Sequence, residues 1–121
     1  EFYAIRLAET YLLRAEAYMK NGNNDKAAND INTVRARSNA KPIGAGQVDI
    51  DYILDERARE LYSEEFRTLT LCRLGLLYDR TKKFGYEASR KTVMEKNNLC
   101  PIPQSVIDAN SQAEFPNNPG F

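Results

Sequence analysis

Tyr11-Leu12-Leu13-Arg14-Ala15-Glu16-Ala17-Tyr18-Met19-Lys20-Asn21-Gly22-Asn23-Asn24-Asp25-Lys26-Ala27-Ala28-Asn29-Asp30-Ile31-Asn32-Thr33-Val34 is the stretch whose reading decides the fold. Ala8, Tyr11, Leu12, Ala15, Tyr18 and Met19 recur at helical spacing and make one apolar face, with Arg14, Glu16 and Lys20 off it. Gly22 follows the last periodic residue, where a left-handed C-terminal cap is favoured. Asn23 and Asn24 offer side-chain caps, and Asp25 places negative charge in the next first turn. Ala27, Ile31 and Val34 then resume the helical period. The spacing predicts helices over 2–21 and 25–38, packed antiparallel because the turn between them is short.

The same hairpin resembles one tetratricopeptide (TPR) unit. With Gly22 as the turn glycine, Tyr11 falls at the aromatic position, Ala15 at the small one, Tyr18 at the tyrosine, Ala27 at the alanine and Ile31 at the bulky apolar one. The geometry behind the pattern is simple. Two alanines let the helices approach closely, and the large side chains fill the space beside that contact. Arg14 stands where Leu is usual and Asn39 where Pro is usual. A lone repeat cannot bury its own faces, so the hairpin needs other helices to stack on.

Working outward, 39–48 carries one proline and two glycines and reads as a loop. Asp49 or Asp51 caps a third helix whose apolar positions are Ile50, Ile53, Leu54, Ala58, Leu61, Tyr62 and Phe66. The pattern continues through Leu69, Leu71 and Leu74 to Tyr78, too long for one globular helix, so a break is expected near Phe66–Thr68. Residues 80–98 are basic and weakly periodic, read as an irregular excursion over the surface. Pro103 starts a short helix, and the tail Phe115-Pro116-Asn117-Asn118-Pro119-Gly120-Phe121 is turn-forming. The fold class is therefore all-α: a TPR-like hairpin, a long or broken helix pair and an irregular C-terminal tail. The expected organisation is a helical scaffold over 1–79 and the excursion, Pro-Ile-Pro segment and tail over 80–121, within one domain.

The 121 residues suffice for one domain, with 42% hydrophobic and 28% charged residues. Seventeen basic residues balance seventeen acidic ones, so the electrostatic footprint of nucleic-acid binding is missing. No apolar run approaches the roughly 20 residues of a membrane span. The chain begins at Glu1, and Phe2-Tyr3-Ala4-Ile5 already reads as helix interior. The expectation is that trimming made this N-terminus and that any targeting segment lay upstream. Cys72 sits among leucines and Cys100 precedes Pro101. An oxidising compartment would allow a disulfide, but nothing in the spacing demands one, and two unpaired, half-buried thiols is the reading. With no histidine and no CxxC, zinc-site spacing is absent and no metal or cofactor is expected.

In the third helix Arg57, Glu60, Glu64 and Arg67 are spaced 3, 4 and 3 apart and would line one helix edge. Glu60 and Glu64 repel unless cations oppose them, and Arg57, Arg67, Arg35 and Arg37 are the candidates. Glu65 falls near the apolar stripe, where a carboxylate needs an arginine. Paired carboxylates also serve glycoside hydrolysis. Interleaved arginines favour the ionised form, however, which is the wrong state for a general acid. The four residues are read as a structural ion-pair network, with no catalytic residue. Tyr78, Phe84 and Tyr86 could stack on sugar rings from a binding loop; packing beneath that loop is the preferred reading.

Four blocks together resemble the C-terminal end of the SusD/RagB family. They are Arg6 to Tyr18 followed by Ile31-Asn32-Thr33-Val34-Arg35-Ala36-Arg37; the Glu-Arg-x-x-Glu-Leu-x-x-Glu block at 56–64 with Arg67 and Leu71-Cys72-Arg73; Pro101-Ile102-Pro103 with Ile107; and Asn118-Pro119-Gly120-Phe121. Thr68 stands where that family usually has Trp, Thr70 where Asp is common, and Cys100 where Leu is typical. The resemblance implies a non-enzymatic, glycan- or nutrient-binding lipoprotein on the outer face of the outer membrane, held there by an N-terminal lipid anchor absent from this chain. Its implied partner is a TonB-dependent, SusC-like transporter. The TPR-like helices would be scaffold and the ligand site would lie elsewhere, so no ligand-contact residue can be carried over. A TPR adaptor gripping a peptide is the alternative.

Overall fold

The computed structural model describes residues 5–121. Among them are seven α-helices and no strand: α1 (Leu7–Lys20), α2 (Asn24–Ala36), α3 (Ile50–Glu60), α4 (Arg67–Arg73), α5 (Leu77–Phe84), α6 (Glu87–Thr92) and α7 (Gln104–Ala109). Short 3-10 turns lie at Ala45–Gln47 and Glu95–Asn98. The chain forms two compact units, the first running to Glu65 and the second covering Phe66–Phe121.

In the first unit α1 and α2 form the hairpin. The expected helix at 2–4 lies outside the described residues, while Ile5 and Arg6 precede the helix instead of continuing it. Arg6 is extended (φ −96°, ψ 152°), which aims its guanidinium at α3. At the other end Gly22 takes φ +73°. Its N–H bonds Met19 O at 3.0 Å and the Asn23 N–H bonds Tyr18 O at 2.8 Å, the paired closure of a Schellman cap. Asn23 makes no side-chain cap: its amide reaches back to Asn21 O.

Leu12, Ala15, Ala27, Ile31 and Ile53 are fully buried in one cluster, and Tyr11 and Tyr18 pack against it half-buried. Each buried Leu or Ile contributes about 1.5–3 kcal/mol. Arg14, the departure from Leu, turns outward and grips Asp30 of α2 through two bonds of 2.8 and 2.7 Å. Its guanidinium also lies over the rings of Tyr11 and Tyr18, at 5.3 and 5.9 Å.

The loop after α2 is pinned by Asn32, which accepts from Ile43 N at 2.8 Å and donates to Ile43 O at 2.9 Å. Ile43 and Val48 thereby join the core. Asp49 caps α3, accepting from Tyr52 N at 2.7 Å. The expected continuous helix from Ile50 does not reach Phe66. It ends at Glu60, and the chain turns through Leu61 to Glu65 with Ser63 left-handed at φ 62°. Leu61 stays buried, but Tyr62 and Phe66 are exposed, contrary to their expected place on the apolar stripe.

In the second unit α4 ends at Gly75 (φ +68°) with the same two-bond closure, Leu76 N to Leu71 O and Gly75 N to Cys72 O, both 2.9 Å. This second break precedes α5. Residues 80–98, expected to be irregular, contain the end of α5, all of α6 and a 3-10 turn. One local and one distant bond mark the difference: Gly85 N reaches Thr81 O at 2.9 Å, and Tyr78 N is capped by Asn98 Oδ1, 20 residues on, at 2.9 Å. The tail is non-helical, as its composition requires, but it is tied down. Asn117 bonds both the N–H and the C=O of Ile102 (2.8 and 3.2 Å), and Lys96 Nζ donates to Gly120 O at 2.9 Å.

Candidate functional site

Arg57, Glu60 and Glu64 lie in the first unit and Arg67 begins α4 of the second. They do not form one helical edge. Arg57 is 1% exposed and donates from Nε to Glu65 at 2.5 Å and from Nη2 to Glu9 at 3.2 Å. On a straight helix residues eight apart would sit about 12 Å from each other, so the turn after Glu60 is what returns Glu65 to Arg57. Glu60 is met by Arg6 (3.1 Å) and Arg37 (3.0 Å), and Glu64 by Arg6. Arg6 also donates to the Glu60 carbonyl at 2.8 Å, satisfying a group left open at the helix end. Its hydrogen bond to Glu64, with that to Glu60, outweighs partial burial and holds its proton above the ordinary range.

A second cluster centres on buried Glu56, bonded by Arg35 at 2.7 Å and by Arg59 at 2.8 Å. Arg37 was a legible candidate for opposing Glu60. Arg6 was not, because a residue expected inside a helix carries no sign that its backbone turns toward another element. Chemically, these clusters bring guanidinium groups to Glu9, Glu56, Glu60, Glu64 and Glu65. The arrangement is suited to holding elements together, each of these carboxylates being engaged by an arginine. Among the described residues no group of His, Cys, Asp and Glu could hold a metal ion.

Two grooves remain. In the first unit Ile5, Leu7, Ala8 and Tyr11 face Thr33 and Val34 across about 560 Å³, with Arg6, Arg37 and Glu60 also lining it. Ile5 and Leu7 are 68% and 69% exposed. In the second unit Arg67, Leu71, Arg80, Thr81, Phe84 and Gly85 line about 210 Å³, with the Arg80 guanidinium 4.5 Å from the centre of the Phe84 ring. Phe84 and Tyr86 are exposed and do not pack beneath a loop as expected; Tyr78 is half-buried. Among the described residues no helix is long and apolar enough to cross a membrane.

A helical hairpin braced by arginine–carboxylate clusters defines an all-helical class. The chain belongs to the SusD family: the family model described by that name matches residues 1–121. The starch-binding protein SusD of Bacteroides thetaiotaomicron is 36% identical over 96% of this chain. A crystal structure of a SusD superfamily protein from Bacteroides vulgatus aligns with 98% of the chain at 32% identity, with a TM-score of 0.72. The chain spans 21% of the first relative's length and 27% of the second's. The all-α fold class and the family resemblance read from the four sequence blocks agree with these findings.

Proposed function

We propose that this chain is the scaffold portion of a glycan- or nutrient-binding component of an outer-membrane uptake system, working beside a TonB-dependent transporter. One observation carries the reading: 36% identity to a starch-binding protein along almost the whole chain. In this reading the parent protein is a surface lipoprotein, held by an N-terminal lipid anchor and non-enzymatic. It captures its ligand by stacking and hydrogen bonds and passes it on unchanged. Residues 1–79 supply helical scaffold, and 80–121 complete the same domain.

The test uses the full-length protein. Calorimetric titration against a panel of starch and other glycan oligosaccharides should show binding, the same sugars should be recovered intact, and the protein should fractionate with the outer membrane and co-purify with a transporter. Cytosolic fractionation together with sugar indifference would overturn the proposal. The apolar groove between α1 and α2 favours a second reading, a peptide-gripping adaptor. That reading requires Leu7→Asp to abolish capture of a peptide ligand while leaving any glycan affinity untouched.

A further inference from the structure

We propose that Asn21-Gly22 is a self-modification site: when the turn between α1 and α2 opens, the Gly22 backbone nitrogen displaces the Asn21 side-chain amide as ammonia, and the closure of α1 keeps that reaction shut. It is the one Asn-Gly step in the chain, and both residues are exposed. Glycine brings no side chain to shield its nitrogen, and nothing lies within 4 Å of a Cβ built there. The glycine that the left-handed cap requires is therefore also the residue that leaves Asn21 open to attack.

In the closed turn the geometry forbids the reaction. Asn21 has φ −89° and ψ 9°. At that ψ the Gly22 nitrogen nearly eclipses Asn21's own backbone nitrogen and stands away from Cβ, whereas a five-membered ring needs it alongside Cβ. The peptide plane that would have to rotate is held at both ends. The Gly22 N–H donates to Met19 O at 3.0 Å, and the Asn21 carbonyl accepts from Asn23 Nδ2 at 3.3 Å. The Asn23 N–H, donating to Tyr18 O at 2.8 Å, closes the turn around them. The nucleophile is thus the same nitrogen whose N–H caps the helix, and it attacks only after the cap has been released.

Once the turn opens, Gly22 N gives up its proton and bonds to Asn21 Cγ. The Cγ–Nδ2 bond breaks, and ammonia leaves carrying that proton. Water then opens the cyclic imide at one of its two carbonyls. Breaking the bond to Cγ leaves an ordinary aspartate at position 21, and breaking the bond to the main-chain carbonyl leaves an isoaspartate linked through Cβ. One water enters and one ammonia leaves, with no change of oxidation state. Either product resists reclosure. The new carboxylate sits at the negative end of the α1 dipole, and the isoaspartate adds a carbon to a turn whose length the two cap bonds fix. The modification makes opening of the hairpin irreversible, and none of this depends on the proposed ligand or location.

Full-length protein, folded or in guanidinium chloride, is warmed at mildly alkaline pH and digested after arginine, and the peptide covering 15–35 is sequenced by mass spectrometry. In the unfolded chain Asn21 should convert ahead of Asn23, Asn24, Asn29 and Asn32, giving both aspartate and isoaspartate. In the folded protein it should convert about 5- to 150-fold more slowly, the factor that two backbone hydrogen bonds are worth. Equal rates in the two states, or an Asn21 no faster than its neighbours when unfolded, overturns the proposal. Amide exchange at Gly22 reads the opening directly, since the exchanging proton sits on the attacking nitrogen. Asp30→Ala removes the Arg14 brace between the helices, and the milder Asn23→Ala removes only the bond to Asn21 O. Both should speed exchange and conversion by the same factor. Faster exchange in either folded variant without faster conversion overturns the proposal.

Discussion

Arg57 shows what a single side chain does in this protein. Among the described residues it is the largest fully buried side chain, and two carboxylates meet it while its Nη1 has no hydrogen-bond partner among them. A buried charge stripped of its partner costs about 3–5 kcal/mol, and Glu65, with its side chain 4% exposed, has given up water beside the guanidinium. Arg57→Met is expected to destabilise by roughly that amount in urea unfolding. Arg57→Lys should lose less, keeping the charge but reaching only one of Glu9 and Glu65 well. Cys72 offers a second test at this scale. In the reduced protein Cys100 should be alkylated before Cys72, and unfolding should erase the difference. Because the folded Cys72 thiol holds its proton more tightly than the unfolded one, its contribution to stability is intact below roughly pH 8.5. It is lost as pH rises through the higher folded value.

At the scale of elements, the same two devices serve both units. Gly22 and Gly75 each close a helix in the left-handed conformation, and nothing lies within 4 Å of a Cβ added at Gly22. Gly22→Ala should therefore cost only the backbone term, about 1–2 kcal/mol, measurable as a shift of the unfolding midpoint at constant m-value. Asn32 and Asn117 each bond the N–H and C=O of one distant residue, Ile43 and Ile102, standing in for a neighbouring strand. Asn32→Ala should cost about 1–3 kcal/mol and raise amide exchange at Ile43. In the hairpin, Arg14→Leu restores the usual apolar residue but removes the two bonds to buried Asp30. A cycle with Asp30→Ala should show the double variant losing less than the two singles together.

At the scale of the whole molecule, the carboxylates that sequence spacing singled out are engaged by arginines. Full-length protein carrying Glu60→Gln or Glu64→Gln should keep its glycan affinity and melt at lower temperature; an affinity collapse without a stability change would place the ligand at these residues. The hairpin, its turn glycine, the Asp49 cap, the non-helical tail and the family were legible in the residues, because each rests on local spacing or a run of matched blocks. The end of α3 was not. Helical periodicity runs on past Glu60 in the sequence, and only the pull of Arg57 on Glu65 and of Arg6 on Glu60 and Glu64, across 8, 54 and 58 residues, explains the turn there. Residues 80–98 misled for a related reason. Their short helices are held by single bonds such as Tyr78 to Asn98, which leave no periodic trace. The sequence alone thus determined the two hairpin helices, the start of α3 and the place of the chain-reversing Gly22, since those depend on neighbours one or two turns away. Which arginine meets which carboxylate was decided only by tertiary structure, because those pairings exist only once distant segments have been packed side by side.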